Sequence, residues 1–376
     1  MRIAMVVTGG LHPSGREQVV PSLLALFSRL ARDHEVHAFA LRHLRHASTY
    51  DLLGFTVHDL GRPSAPFGWK PWAQARALRK AMSASGPFAL VHGFWGDPAG
   101  LLAAKAGRHF GIPSIVTCDS GEFVAIPAIG YGSQRTARGR ATIQDACSLA
   151  SRVHVCTRFM AQQARDHGCS ATVIPLGTTA RSSLSRQRIA TKDPGVFRLL
   201  QIASLSRVKN QQLAIDAVAL LSRRIDVHLD LVGEDTLGGE LQASVRELGL
   251  ADRITFHGFV PQDELPPLFD SADLYLQTSL HEAAGVSVLE AASAGVAVIG
   301  TRVGYVADWT PDCAVAIDDR SAGALARAIE QLLTDPDRRR ALASAAHAWA
   351  LAHDADWTAR AFERLYQVRP NGSEAG

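Results

Sequence analysis

Residues 278–300 read TSLHEAAGVSVLEAASAGVAVIG and carry two carboxylates, Glu282 and Glu290. Glu282 lies in a polar, turn-prone lead-in behind the apolar run Leu274-Tyr275-Leu276. Glu290 lies in an Ala-rich segment that predicts a helix, because Val286, Leu289, Ala292 and Ser293 share one face at helical spacing. Gly285 marks the junction and keeps the helix mouth clear of a bulky side chain. A helix N-terminus offers unpaired N–H groups and partial positive charge, so it accepts phosphate readily. Glu290, a turn and a half into the helix, and Glu282, ahead of its mouth, can each take hydroxyls of whatever the phosphate carries. Ribose, diphosphate and sugar in series fit that pattern: a nucleotide-sugar pocket. A solvated pair of surface glutamates is the bland reading. It fits poorly here, because the pair sits in an apolar, Gly- and Ala-rich stretch where a charge without a partner is costly to bury.

The chain around this stretch follows one grammar. Short apolar runs at 3–7, 36–40, 55–60, 90–92, 114–117, 153–155 and 172–174 alternate with helical patterns at 19–32, 72–84, 100–110 and 158–167. After Pro175-Leu176-Gly177 comes a polar Ser/Arg/Thr stretch to Gly195, and then the alternation resumes from Phe197. Alternation of this kind predicts parallel sheets with helices on both faces. The expected division is a first α/β domain over 1–176, a linker over 177–196 and a second α/β domain over 197–350. A C-terminal helix over 351–368 is expected to pack back on the first domain, ahead of a disordered tail at 369–376. Doubly wound sheets of this sort bind ligands at the carboxyl ends of their strands.

Composition narrows the classes further. Five cysteines without a CxxC pair argue against a disulfide framework or zinc knuckle and fit a reducing cytoplasm. The start, MRIAMVVTGG, reads as a first strand and not as a leader, and no apolar run is long enough to span a bilayer. Residues 1–185 carry 20 Lys and Arg against 10 Asp and Glu, whereas residues 186–376 carry 19 against 26. The basic half is expected to face something anionic. Nucleic acid is disfavoured, because no ladder of aromatic and basic residues appears. Lys70, Arg76, Arg79 and Lys80, around Trp72 and Leu78, predict an amphipathic helix able to rest on anionic lipid. Arg135, Arg138 and Arg140 form a second basic group.

Other segments add candidates. Thr8-Gly9-Gly10 follows the first strand, where glycine permits close backbone approach to a ligand. Lys209, in Ala203-Ser204-Leu205-Ser206-Arg207-Val208-Lys209-Asn210, sits at a strand-to-helix turn, well placed to neutralise a leaving diphosphate. Asp119 ends the strand of Val116-Thr117-Cys118-Asp119-Ser120-Gly121-Glu122; a turn or capping aspartate is the competing reading. His92 ends another strand and reads equally as a satisfied core histidine. Asp335-Pro336-Asp337 and Asp354-Ala355-Asp356 have the Asp-x-Asp form that can hold a metal, but both lie at predicted helix boundaries, where Asp caps.

The Glu-x7-Glu spacing, continued by Leu289-Glu290-Ala291 and Ala294-Gly295-Val296-Ala297-Val298-Ile299, resembles the motif of retaining glycosyltransferases of the family-four type. That resemblance implies the GT-B architecture, two facing Rossmann-like domains with an inter-domain cleft. It implies a UDP- or GDP-sugar donor held by the C-terminal domain, a glycan or lipid-linked acceptor held by the N-terminal one, and no metal or other cofactor. By the resemblance, Glu290 holds ribose, Gly285 and Val286 the diphosphate, Lys209 the leaving charge and Glu282 the sugar hydroxyls. Phe259 and Val260, in Gly258-Phe259-Val260-Pro261, belong to the segment whose backbone holds the base. Gly9 and Gly10 lie where acceptor and donor phosphate meet. Thr301-Arg302-Val303-Gly304 to Asp308 is structural around the pocket.

Two positions depart from the pattern: Ser204 stands where the family has a phosphate-gripping arginine, and Asp119 where it commonly has a histidine near the transferred sugar. Catalysis is assigned to Glu282, Lys209 and Asp119. The implied setting is glycan, polysaccharide or glycolipid synthesis in the cytoplasm, at the inner membrane face. The departures keep two alternatives open: a nucleotide-sugar-binding protein with impaired catalysis, and a sugar-nucleotide epimerase of the same fold.

Overall fold

The computed structural model describes residues 1–62, 70–179 and 195–367. Most of the expected linker and the expected tail lie outside the described residues. The chain forms two compact units, Met1–Leu176 together with the chain from Ala355 onward, and Gly177–Asp354.

The first unit is built on an eight-stranded sheet. Its strands are β1 (Arg2–Val7), β2 (Glu35–Ala40), β3 (Ser48–Leu52), β4 (Phe55–Asp59), β5 (Leu90–Phe94), β6 (Ser114–Thr117), β7 (Arg152–Val155) and β8 (Thr172–Val173), in the order β3-β4-β2-β1-β5-β6-β7-β8. Ile3 to Val7 are buried on both faces, as expected for a central parallel strand covered by helices on each side. The sheet departs from the all-parallel expectation at one edge, where β3 runs antiparallel to β4. Leu53 (φ +49°) and Gly54 (φ +89°) make the two-residue turn between them, the paired positive φ that lets a tight hairpin keep its twist.

The last helix, α13 (Ala355–Gln367), belongs to this unit. Asp356 pairs with Arg32 at 2.8 Å and Arg29 at 3.2 Å. Tyr366 donates to His92 Nδ1 at 2.8 Å, His92 Nε2 to Thr117 Oγ1 at 2.7 Å, Thr117 to His154 Nδ1 at 2.9 Å, and His154 Nε2 to the Ile174 carbonyl at 2.8 Å. The carbonyl at one end fixes the direction of every donor in this buried chain and leaves both histidines neutral, in line with pKa values lowered by burial.

The second unit has six parallel strands: β9 (Phe197–Ile202), β10 (Val227–Val232), β11 (Ile254–Gly258), β12 (Leu274–Gln277), β13 (Ala297–Thr301) and β14 (Ala314–Ile317). Their order is β11-β10-β9-β12-β13-β14. Counted within the unit this is 3-2-1-4-5-6, the doubly wound order whose switch point lies between the first and fourth strands. Loops leaving β9 and β12 therefore emerge side by side. The former carries Lys209, the latter Glu282.

Candidate functional site

The two loops are stitched together before they reach any ligand. Leu280 N donates to the Val208 carbonyl at 2.8 Å, and the Thr278 hydroxyl donates to the Lys209 carbonyl at 3.1 Å. The amide of Gln201, buried on β9, reaches Thr278 Oγ1 at 3.0 Å. On this frame Lys209 Nζ donates to Glu282 Oε1 at 2.6 Å, and Ser279 Oγ donates to the same oxygen at 2.7 Å. The Lys209 and Glu282 side chains are 27% and 12% exposed, so both remain reachable from solvent. Ser279 has no motif to announce it; only the fold shows its contact.

Gly285, at φ +87°, turns the chain into α9 (Val286–Ser293). A Cβ there would run into the Gln277 side-chain amide, so glycine is required by space as well as by conformation. The helix start has no side-chain cap, which leaves its first N–H groups for a ligand. Tyr275, read from sequence as part of an apolar run, anchors this turn: its hydroxyl meets Ser287 Oγ at 2.6 Å and the Ile202 carbonyl at 3.1 Å. Burial raises the Tyr275 pKa, and Glu290 and Glu282 both add to that shift, so one buried phenol lies near both carboxylates. The helix is buried more widely than one stripe: Val288 and Ala291 are enclosed along with Leu289, Ala292 and Ser293, while Val286 is only half-buried. The second face is covered by α12 (Pro336–Ala352), from which His347 donates to the Ala292 carbonyl at 3.2 Å.

The end of β13 and the segment after it brace the Glu282 loop. Thr301 Oγ1 donates to the Ser279 carbonyl at 2.6 Å, and Tyr305 N to the Ala284 carbonyl at 2.9 Å. Gly304, at φ +52°, lies so close to Ala284 that no side chain fits.

Glu290 is half-buried, accepts from Gln262 Nε2 at 2.8 Å, and lines a cavity of about 390 Å³ with Thr178, Thr179, Leu265 and Ser293. Burial pushes its pKa up, opposed by the Gln262 bond. Phe259 is 59% exposed, beyond Gly258 at φ +67°, and Val260 is half-buried. Ser204 is exposed. Arg207 reaches both oxygens of Glu240, at 3.0 and 3.1 Å, so its guanidinium is engaged away from Lys209.

In the first unit, Gly9 and Gly10 pack against other loops: a Cβ on Gly10 would stand 2.6 Å from Val20, and Gly10 N donates to His43 Nδ1 at 3.4 Å. Asp119 follows β6 with Oδ1 buried and unbonded. Burial and the neighbouring Glu122 push its pKa up to about 8, so at neutral pH this carboxyl holds a proton and can donate. Glu122, itself buried, holds the loop by accepting from Gly96 N at 2.9 Å and Ser120 N at 2.7 Å. His92 is a core histidine with both ring nitrogens satisfied.

The aspartate pairs are structural in their geometry. Asp335 caps α12 by accepting from Arg338 N at 2.9 Å, Asp337 pairs with Arg340, and Asp356 pairs with Arg29 and Arg32. Among the described residues, no group of three His, Cys, Asp or Glu is disposed to hold a metal.

Two family models together match most of the chain. The Glycosyl transferase 4-like domain matches residues 19–177, and Glycosyl transferases group 1 matches residues 185–349. The chain belongs to the GT-B glycosyltransferases of the family-four type. A similar curated protein is the 2-deoxystreptamine glucosyltransferase of Streptomyces kanamyceticus, 34% identical over 140 residues that cover 36% of each chain. Among the most similar curated relatives, the matched stretch covers between 36% and 44% of the relative's own length.

Solved structures match along nearly the whole chain. Sucrose-phosphate synthase from Thermosynechococcus elongatus superposes with a TM-score of 0.80 at 18% identity, covering 98% of both chains. Anabaena HepE, solved in complex with UDP-glucose, gives 0.74 at 20% identity over 98% of this chain and 100% of that one. These likenesses establish the fold of the family member. Among the described residues no helix is long and apolar enough to cross a membrane.

Proposed function

We propose that the chain moves a sugar from a nucleotide-diphosphate sugar to an acceptor hydroxyl with retention of configuration. The observation that carries this reading is the meeting of Lys209 and Glu282 at the switch point of the second sheet, beside the open start of α9. The bond between the anomeric carbon and the diphosphate oxygen breaks, and the acceptor oxygen bonds to that carbon on the same face. The acceptor's proton leaves with the nucleoside diphosphate. Lys209 and the N–H groups of Gly285 and Val286, at the mouth of α9, stabilise the departing charge, which needs no metal. Glu282 takes sugar hydroxyls. Glu290 takes the ribose by exchanging its bond to Gln262, and the backbone at Phe259 and Val260 holds the base. Asp119, protonated at neutral pH, donates to the sugar or acceptor, and Gly9-Gly10 lets the acceptor approach.

UDP is favoured as the nucleotide because Anabaena HepE was solved with UDP-glucose; GDP is the competitor. A glycan or glycolipid acceptor, worked on at the inner face of the membrane, fits the basic first half. A panel of UDP-, GDP- and ADP-sugars tests the donor: the native one raises the melting temperature by mass action, and with the acceptor it yields product of retained anomeric configuration. Ser204, with Arg207 tied to Glu240, favours one other reading, a binding protein that shifts its melting point with donor yet turns over nothing. An epimerase would convert the donor alone.

A further inference from the structure

At the carboxyl ends of β2 and β4, the loops 41–47 and 60–62 enclose an open depression of about 890 Å³ lined by Arg45, His46, Ala47, Leu60, Gly61 and Arg62. Its form is fixed from beneath by a carboxylate that faces inward. Asp59, 2% exposed, accepts from Leu44 N at 3.0 Å with one oxygen and from Gly61 N at 2.8 Å with the other. Each bond pins one of the two loops. Gly61, at φ +69°, brings them so close that a Cβ would lie 2.7 Å from Ala47 N, and Arg62 N points to the Arg45 carbonyl at 3.4 Å.

Asp59 is thus engaged with backbone, and among the described residues neither Arg45 nor Arg62 pairs with a carboxylate. Two exposed arginines therefore line one depression with neither in an ion pair among the described residues, and the Asp59 carboxylate beneath them is taken up by backbone N–H groups, which leaves the guanidinium donors for an anion. The depression has the size of a small-molecule site rather than of a single ion. It also connects to the glycine loop. Burial lowers the pKa of His43 against the opposing Asp59 carboxylate, with His12 and then Arg62 adding smaller effects, and His43 Nδ1 accepts from Gly10 N, so its Nε2 carries a proton that is buried and without a partner.

We infer that the acceptor carries a phosphate, bound by Arg45 and Arg62 with His46 alongside, and that its reacting hydroxyl extends toward Gly9-Gly10. This rests on the transferase reading above and names its acceptor class. Guanidinium forks match phosphate oxygens in pairs, which a lone lysine would not do.

The test follows the side-chain ¹⁵N resonances of His46 and His43 in the full chain at low salt. Three probes are titrated: inorganic phosphate, glucose 6-phosphate, and phosphatidylglycerol vesicles. A saturable shift at His46 is expected, weakened about tenfold or more in Arg45→Gln/Arg62→Gln, partly restored by lysine at both positions, and unchanged in Lys209→Ala. A response to glucose 6-phosphate but not vesicles assigns a free phosphorylated acceptor; a response to vesicles assigns a phosphate-bearing lipid headgroup. Silence with all three probes, or a response that ignores both arginine substitutions in chains of unaltered melting temperature, overturns the inference. The UDP-glucose melting shift, recorded on the same samples, reports the donor reading separately and stands or falls without the arginines.

Discussion

Lys209 Nζ lies 2.6 Å from Glu282 Oε1, so the cation assigned to a departing diphosphate is neutralised, in the free protein, by the carboxylate assigned to the sugar. Under the proposed function, donor binding divides the pair: phosphate takes the ammonium and hydroxyls take the carboxylate. Glu282→Ala and Lys209→Ala should each lower kcat/KM by about 100-fold or more, as loss of a charge partner in the transition state does. The pair is partly solvated, so each change should cost about 1 kcal/mol of stability, a few degrees of melting temperature. Activity per folded molecule and melting curves check this together. A drop of many degrees with intact turnover would make Glu282 a structural residue.

Gly285 is held at φ +87° against the Gln277 side chain. Gly285→Ala adds left-handed strain of about 1–2 kcal/mol and a clash, so the start of α9 must shift. Donor affinity should fall by more than tenfold while the helix content seen by circular dichroism is retained. Unaltered donor affinity would separate this helix mouth from the diphosphate.

Asp119 gives a pH dependence with a definite sign. Its pKa rises from 3.8 in the unfolded chain to about 8 in the folded one. Between those values the unfolded state has lost a proton that the folded state keeps, so stability falls as pH rises through that window and levels off above it. Asp119→Asn cannot ionise and should flatten the slope, read as urea midpoints from pH 4 to pH 9. Parallel slopes in the two proteins would place the proton on another group, Glu122 first, whose pKa is also raised by burial.

The strands were legible because a doubly wound sheet buries both faces, and runs such as Ile3–Val7 and Val296–Gly300 contain little else than apolar residues. The hairpin of β3 was not. Its turn places Leu53, a residue that resists positive φ, where Asn or Gly would have signalled it. Helix α4 (Ala137–Leu149) was hidden in the same way by arginines and Gly139 in its first turns, although Thr136 caps it, accepting from Gly139 N at 3.0 Å. Within the site, residue types were legible and their partners were not. Lys209 and Glu282 lie on loops of β9 and β12, neighbours in the sheet but far apart in sequence, and the bonds of Ser279, Gln262 and Tyr275 depend on that order.

Chelation is the next check. In the proposed mechanism Lys209 and the α9 N–H groups supply the charge that a metal would otherwise supply, and Asp335, Asp337 and Asp356 are engaged as cap and ion pairs. Activity should survive EDTA within about twofold, an expectation for a site with fixed protein charges. Full loss that returns on adding Mg²⁺ or Mn²⁺ would overturn it.

The membrane prediction changes once the helix is placed. In α2 (Lys70–Ser85), Leu78 and Met82 are buried in the core of the first unit, so the expected apolar face is already covered and cannot enter lipid. What remains outward is Trp72, 54% exposed with the Arg76 guanidinium 5.6 Å over its ring, and the exposed Arg76 and Lys80. An indole beside cations suits a headgroup layer. Each basic residue near an anionic surface contributes about 1 kcal/mol, and that attraction decays within a Debye length. Such a patch gives weak binding that depends on salt, not insertion. Co-sedimentation at low salt should show the chain on phosphatidylglycerol vesicles and not on phosphatidylcholine, with release at high salt. Trp72→Ala should weaken binding at every salt concentration, whereas Arg76→Ala/Lys80→Ala should mainly reduce the salt dependence. Equal indifference to both vesicles at low salt would leave the patch without a membrane role and the acceptor in solution.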